Sequence, residues 1–285
     1  MTVVKTIADC RAARQRMGTV AFVPTMGALH EGHLTLIRTA RQFSRDVVVS
    51  IFVNPTQFGP REDLARYPRP FEQDAKLAED AGASVIYAPE PAEMYRENEP
   101  KVLIDFPELT SVLEGKHRPG HFQGVLQVVA KLFNIVQPQY ACFGQKDFQQ
   151  LRIILAMTQA LDFPINIVPC PTLREPDGLA MSSRNRYLSS DERLRALSIS
   201  RALFACQEEA KNTNVASKLT AIMHRILRDV GQLGHVPMSI DYFACVDPDT
   251  LRPVDTLDQP VICAIAARVG QTRLIDNVLI EPNRA

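Results

Sequence analysis

The sequence lacks any excess of charge of one sign, because its 32 basic and 32 acidic residues give a formal net charge of zero. Proteins that mainly grip nucleic acid usually carry a basic excess. Long apolar runs are also missing: none approaches the ~20 residues that span a bilayer, and the N-terminus lacks a signal-peptide core. We therefore expect a soluble protein of the cytoplasm that has neither nucleic acid nor membrane as a partner.

Cysteine is sparse and unclustered, with six residues in 285 and no Cys-x-x-Cys pair. Several of the six lie inside apolar runs, so we expect small buried hydrophobic side chains in a reducing compartment. Internal repeats and low-complexity tracts are absent as well. With 46% hydrophobic and 22% charged residues, the chain has an ordinary globular composition and enough length for one large or two moderate domains.

The most informative stretch is Pro24-Thr25-Met26-Gly27-Ala28-Leu29-His30-Glu31-Gly32-His33. It follows an apolar, β-branched run at 19–23 and precedes apolar residues at helical spacing, which predicts a strand, a tight turn and a helix. Its glycines permit a sharp bend, and His30 and His33 share one helix face. Backbone N–H groups and the helix dipole point the same way, which suits a polyphosphate.

Two alternatives compete with that interpretation of the turn. It could be an ordinary tight turn with two solvated histidines. It could also be a metal site, but no third His, Cys or carboxylate stands at zinc spacing nearby.

The remaining patterns predict a Rossmann-like parallel-sheet domain at residues 1–174 and a smaller α+β domain, or lid, at 175–285. Further strands are predicted at 46–53, 83–88, 140–143 and 165–168, with a peripheral strand at 102–106. Helices are predicted at 4–17, 71–81, 125–136 and 148–161. The second domain should have helices at 190–211 and 216–230, followed by strands at 240–246, 261–266 and 272–276, with a hairpin turn at Gly270-Gln271.

Two polar loops add candidate site residues. The turn Asn54-Pro55-Thr56-Gln57-Phe58-Gly59 follows a predicted strand, where open α/β sheets bind ligands, although Asn-Pro is also ordinary turn chemistry. The loop at 173–187 combines hydroxyls and cations that could fold over phosphates, or it could be a solvated linker. Asp74, on a predicted helix, is by itself more typical of a solvated face than of a metal ligand.

Taken together, five motifs in order resemble the pantothenate synthetase (pantoate–β-alanine ligase) family over nearly the whole chain. The resemblance includes variants of the two signature motifs of the nucleotidyltransferase superfamily. The five motifs are 24–33, Ser50-Ile51-Phe52-Val53-Asn54-Pro55-Thr56-Gln57-Phe58, Arg118-Pro119-Gly120-His121-Phe122, Phe143-Gly144-Gln145-Lys146-Asp147-Phe148-Gln149-Gln150-Leu151, and Met181-Ser182-Ser183-Arg184-Asn185.

The resemblance implies an ATP-dependent condensation of pantoate with β-alanine in a homodimer that uses Mg²⁺. It implies that ATP is bound by Met26, Gly27, Ala28, Leu29, His30, Glu31, Gly32, His33, Gly144, Gln145, Lys146, Asp147, Leu173, Met181, Ser182, Ser183 and Arg184. It makes His33 a proton donor that acts with His30, Lys146, Ser182, Ser183 and Arg184. It assigns pantoate and β-alanine to Gln57, Gln150 and Asn54, and the metal to Asp74.

Two positions depart from the family pattern: Gln145 stands where Glu is frequent, and Leu173 stands where Val or Ile is common. A leucine should still offer its backbone to adenine, whereas Gln145 removes a charge near the nucleotide.

The residue chemistry favours an acyl-adenylate route over an enzyme-bound acyl group, because no His neighbours Cys142 or Cys170 in the sequence and no evident base stands beside Ser182 and Ser183. The competing functions are another adenylyl-transferring enzyme on this fold and a nucleotide-binding module without catalysis. Both histidines, Lys146 and the Ser-Ser-Arg loop argue against the second of these.

Overall fold

The computed structural model describes residues 1–60, 62–229 and 236–282. The chain forms two compact units. The first comprises residues 1–110, 118–145 and 150–171, and the second comprises 111–117, 146–149 and 172–285. Two short segments that precede the main part of the second unit in sequence, 111–117 and 146–149, therefore belong to it.

The first unit is built on a six-stranded parallel sheet, as the buried β-branched runs predict. Its strands are β1 (Thr2–Val4), β2 (Val20–Thr25), β3 (Asp46–Ile51), β4 (Val85–Tyr87), β5 (Tyr140–Gly144) and β6 (Asn166–Cys170). They lie in the order β1-β4-β3-β2-β5-β6. Strand β2 therefore lies between β3 and β5, and the strand order reverses direction between β2 and β5. Ligands bind at such switch points, outside the carboxyl ends of the strands.

Helices cover both faces of this sheet, since alternate strand residues join two different cores. One core contains Phe22 and Phe143 together with the central helix α7. The other contains Val23 and Cys142 together with α2 and α3. The helices of this part of the chain are α1 (Ile7–Arg14), α2 (Glu31–Phe43), α3 (Phe71–Asp80), α4 (Pro91–Met94), α5 (Pro107–Thr110), α6 (Leu113–His117), α7 (His121–Val136) and α8 (Phe148–Ala160). Of these, α6 and the first two residues of α8 belong to the second unit.

The second unit packs two helices against a three-stranded antiparallel sheet in the order β7-β8-β9. Its elements are α9 (Ser190–Glu209), α10 (Ala216–Asp229), β7 (Met238–Val246), β8 (Val261–Val269) and β9 (Thr272–Ile280). A capping box begins α9, in which Ser189 accepts from the N–H of Glu192 and the Glu192 side chain accepts from the N–H of Ser189. The predicted α/β architecture with a smaller α+β domain is confirmed.

Two local predictions were wrong. Residues 102–106 form no strand, and Val102 and Leu103 are 61% and 76% exposed. The sheet edge beside β4 is instead occupied by Thr2–Val4, which the sequence pattern had placed partly in a helix. The predicted helix end at Val230 lies outside the described residues. All six cysteines are buried free thiols, and none of the described helices is long and apolar enough to cross a membrane.

Helix α7 approaches the turn after β3 so closely that only glycine fits at one position. A Cβ added at Gly124 would lie 2.4 Å from the Thr56 carbonyl oxygen and 2.7 Å from the Gln57 nitrogen. Gly124→Ala should therefore destabilise the protein by about 1–3 kcal/mol, although alanine favours a helix interior by up to ~1 kcal/mol. Gly18→Ala, where an added Cβ meets nothing within 4 Å, is the control. Equal urea midpoints for the two variants would contradict the close approach.

Candidate active site

The turn after β2 is built around a buried carboxylate. Gly27 has φ +80° and Ala28 has φ +51°, so consecutive backbone N–H groups converge on one point. Asp74 of α3, which is 1% exposed, occupies that point. Its two oxygens accept from the N–H groups of Ala28 and Leu29, each at 2.7 Å. A Cβ at Gly27 would lie 2.9 Å from the same carboxylate, which explains the glycine.

This arrangement corrects one expectation, because the four successive N–H groups of residues 27–30 already donate to partners within the protein. Besides the two held by Asp74, the N–H of Gly27 donates to the hydroxyl of Thr25 (3.1 Å). The N–H of His30 donates to His33 Nδ1 (3.4 Å). The free N–H groups that the sequence predicted are therefore not found at residues 27–30.

His30 and His33 are brought together at the start of α2, as their spacing predicts. Their ring centroids are 4.1 Å apart with an interplanar angle of 34°, and both residues are half-buried. Since His33 Nδ1 accepts the His30 N–H, the proton of a neutral His33 stays on Nε2. The pair is thus a stacked, partly desolvated donor set at the positive end of a helix.

The turn after β3 meets the turn after β2, as expected for neighbouring parallel strands. Gln57 donates from Nε2 to the sulfur of Met26 (3.2 Å). Asn54 donates from Nδ2 to Gln57 Oε1 (3.0 Å) and to the Gly124 carbonyl (3.1 Å), and its Oδ1 accepts from the Tyr95 hydroxyl (2.7 Å). Asn54 and Gln57 are 1% and 8% exposed, so their orientation is fixed by packing and hydrogen bonds.

His121 and Arg118 hold the turn after β3 through a chain of contacts that the sequence did not reveal. The His121 Nδ1 atom lies 2.9 Å from the Gln57 carbonyl oxygen, and its Nε2 lies 3.0 Å from Arg118 NH1. A carbonyl only accepts and a guanidinium only donates, so this geometry requires neutral His121 with its proton on Nδ1. Arg118 also forms a bidentate pair with Glu62 (2.8 and 2.6 Å) and lowers the pKa of that carboxyl against the effect of burial.

The carboxyl end of β5, next to β2 in the sheet, carries Gly144 and Gln145, and α8 begins nearby with Gln150 in its first turn. All three are half-buried. Lys146 and Asp147 follow Gln145 in a short 3-10 helix and belong to the second unit.

The predicted phosphate loop of the second unit is a well-anchored structure. Arg174 and Ala180 form an antiparallel bridge, and the N–H of Met181 donates to the Leu173 carbonyl (3.0 Å). The buried Asn185 donates to Glu175 Oε1 (2.6 Å) and to the Ala180 carbonyl (3.0 Å). These contacts rule out a solvated linker, because a linker would leave such polar groups to water.

The segment that follows carries Ser182, Ser183 and Arg184. Ser182 caps the 3-10 helix Ser183–Tyr187 and accepts from the N–H of Arg184 (3.3 Å). A small cavity of this unit is lined by Lys146, Ser182, Asn185 and Asp276 together with apolar side chains. The fold thus brings together Lys146 and Ser182, two predicted site residues 36 positions apart, in one cavity.

The magnesium role predicted for Asp74 has no support from a metal-binding cluster. Within residues 1–60, 62–229 and 236–282, no group of three or more His, Cys, Asp or Glu could hold a metal ion. The carboxylate of Asp74 already accepts from two backbone N–H groups. These residues do not fit a protein-built magnesium cage, and a metal contact by Asp74 remains a prediction.

Comparison with known proteins gives a consistent result over the whole chain. The family model described as pantoate-beta-alanine ligase matches residues 2–279. Pantothenate synthetase 1 of Bradyrhizobium diazoefficiens is 52% identical over 97% of this chain and 94% of its own length.

Solved structures agree with the family match. The crystal structure of pantothenate synthetase from Thermus thermophilus has a TM-score of 0.92 at 45% identity and covers 99% of this chain and 100% of that one. The pantoate-beta-alanine ligase of Francisella tularensis, complexed with beta-gamma ATP and beta-alanine, has a TM-score of 0.80 at 32% identity. It covers 98% of this chain and 97% of that one.

The Asp74 contact predicts a specific loss of stability. Asp74→Asn keeps the volume of the side chain but turns an NH₂ group toward a backbone N–H, which leaves a buried donor unsatisfied. Unfolding free energy should fall by about 1–3 kcal/mol. Asp80→Asn, on the exposed end of the same helix, should change it by at most ~0.5 kcal/mol. Urea denaturation measures both, and equal effects of the two variants would refute the carboxylate's role in the turn.

Proposed function

Because the chain belongs to the pantoate–β-alanine ligase family, we propose how its residues divide the reaction among themselves. The chain is an AMP-forming carbon–nitrogen ligase that condenses pantoate with β-alanine at the expense of ATP, in pantothenate biosynthesis. The observation that carries the proposal is the stacked His30–His33 pair at the carboxyl end of β2, beside the switch point of the sheet.

The ATP phosphates are bound by cationic and hydrogen-donating side chains. His30 and His33 supply ring N–H donors at the positive end of α2, and His33 carries its proton on Nε2 for this purpose. Lys146 and Arg184 supply fixed positive charge, and Ser182 and Ser183 supply hydroxyls. The adenine contact is assigned to the backbone of Leu173.

Pantoate is bound by neutral amides. Gln57 and Gln150 form hydrogen bonds with its hydroxyl and carboxylate groups without adding charge, while Asn54 sets the orientation of Gln57. Support comes from the burial of Asn54 and from its 3.0 Å bond to Gln57. Neutral amide partners leave the carboxylate of pantoate nucleophilic, since they hold its electron pairs less strongly than a paired cation would.

The reaction proceeds in two displacement steps. A pantoate carboxylate oxygen attacks the α-phosphorus of ATP, a P–O bond forms, and pyrophosphate leaves with the electrons of the broken P–O bond. The β-alanine amine then attacks the acyl carbon of pantoyl-adenylate. A C–N bond forms, AMP leaves with the electrons of the C–O bond, and the nitrogen loses a proton. Lys146 and Arg184, together with the ring donors of His30 and His33, stabilise the charge that moves onto pyrophosphate.

Magnesium enters the proposal as the counter-ion of the ATP phosphates, since Mg²⁺ usually binds through substrate phosphates and few carboxylates. The residue roles and the two displacement steps proposed above do not depend on the metal. A homodimer and a location in the cytoplasm, both expected from the sequence, also belong to the proposal.

The proposed role of His33 predicts a loss in turnover more than in binding. His33→Ala removes a donor whose interaction strengthens as charge develops, so kcat should fall ~10²-fold or more while the KM for ATP changes little. His224→Ala, on an exposed face of α10, is the matched control. Steady-state kinetics with wild-type kcat in His33→Ala would remove His33 from the mechanism.

The adenylate route predicts isotope exchange in the absence of the amine. With pantoate, ATP and labelled pyrophosphate but no β-alanine, label should enter ATP because the first step is complete and reversible without the amine. An exchange that requires β-alanine would instead indicate a concerted reaction. A pantoyl group found covalently on the protein by mass spectrometry would indicate an enzyme-bound acyl group, and either result would overturn the route.

A further inference from the structure

Strand β9 buries two polar residues, Asp276 and Asn277. Its alternating pattern predicts an apolar residue at position 276 and an exposed residue at position 277. Leu274, Val278 and Ile280 join the core of the second unit, and Asp276 has the same strand parity, so it lies on the apolar face. Asp276 and Asn277 are only 4% and 8% exposed. Burying a charge here costs stability unless it is paired, and replacing such a pair with apolar residues is often neutral or stabilising. Core stability alone therefore does not account for them.

Asn277 holds the main chain at Lys146. Its Nδ2 donates to the Lys146 carbonyl oxygen at 2.8 Å, joining residues 131 positions apart. This contact uses the backbone of Lys146 and leaves its ammonium group out of the bond. The position from which the Lys146 side chain starts is therefore set by β9.

Asp276 holds the base of the loop that leads to Ser182. It forms a bidentate pair with Arg174 (2.7 and 3.1 Å). Arg174 also donates to the Gly178 carbonyl (3.2 Å) and lies 4.7 Å from the ring centre of Phe204. Burial raises the pKa of Asp276, while Arg174, the Asn277 N–H and Lys146 act to lower it. The same carboxylate thus faces both the loop and the Lys146 charge.

We propose that Asp276 and Asn277 are positioning residues that hold Lys146 and the Ser182 loop in register across the small cavity that they line, so that both can reach the ATP phosphates. The inference rests on the proposed function, which assigns Lys146 and Ser182 to ATP. Lys146, Ser182 and Asp276 line that cavity together. Because both Lys146 and the Ser182 loop are held by β9, less conformational entropy is lost when they bind phosphates. A shift of a binding group by ~1 Å can lower the rate up to ~10²-fold.

The main experiment compares Asn277→Ala and the nearly isosteric Asn277→Asp with the control Asn212→Asp, an exposed residue of the same unit. Asn277→Asp turns a carboxylate oxygen toward the Lys146 carbonyl, so repulsion replaces the hydrogen bond. Both Asn277 variants should lower kcat/KM for ATP by about 10- to 100-fold. The KM values for pantoate and β-alanine should change less than threefold, and thermal unfolding identifies any variant that fails to fold.

A double-mutant cycle separates positioning from general damage. If Asn277 acts through Lys146, Lys146→Ala with Asn277→Ala should be no worse than Lys146→Ala alone. Additive losses, or Asn277→Asp kinetics equal to those of Asn212→Asp, would overturn the inference while leaving the proposed function intact. Wild-type use of ATP by Lys146→Ala would instead refute the ATP role of Lys146, and the inference would fall with it.

Asp276 is tested by Asp276→Asn, which keeps the shape and can still accept from Arg174 but removes the charge facing Lys146. It should raise the KM for ATP more than that for pantoate. Equal increases for both substrates would indicate only a structural role for the carboxylate.

Discussion

The carboxylate of Asp74 inside the turn after β2 is the contact on which the organisation of the first unit depends. The turn contains two successive residues with positive φ, one of which is an alanine, and such conformations persist only when their surroundings enforce them. Two buried charge-assisted hydrogen bonds provide that enforcement. They tie α3 to the turn between β2 and α2, and so fix where the helix that carries both histidines begins.

This internal anion changes the chemistry expected of a glycine-rich turn. In many nucleotide-binding turns, backbone N–H groups face the phosphates. Here the N–H groups of Ala28 and Leu29 donate to a protein carboxylate instead. The proposed function accordingly assigns recognition of a polyphosphate to imidazole, ammonium and hydroxyl groups. The contacts of such groups can become stronger as negative charge develops during the reaction. Only contacts that are stronger in the transition state than in the ground state accelerate the chemical step.

The sequence predicted the parallel sheet, the placement of both histidines on one helix face and the common edge of two strand ends, because these follow from local periodicity and from βαβ geometry. It did not predict the strand order that places β5 beside β2. It also missed the contacts of Asp74, His121 and Asn277, which join residues 45, 64 and 131 positions apart. One signal was available: Asp276 interrupts an alternating apolar pattern in β9, and a buried charge in such a row calls for a partner.

The positioning contacts share a chemical logic. Asp74 binds the N–H groups of Ala28 and Leu29, His121 contacts the carbonyl of Gln57, and Asn277 binds the carbonyl of Lys146. Each of these contacts uses a main-chain atom at or beside a functional residue, so the functional side chain is not consumed by it. A hydrogen bond to the polar atoms of a substrate-binding side chain would compete with the substrate. A hydrogen bond to the main chain of that residue fixes the position from which the side chain extends and leaves its polar atoms available. In the proposed mechanism, such main-chain contacts contribute to the preorganisation of the charged groups.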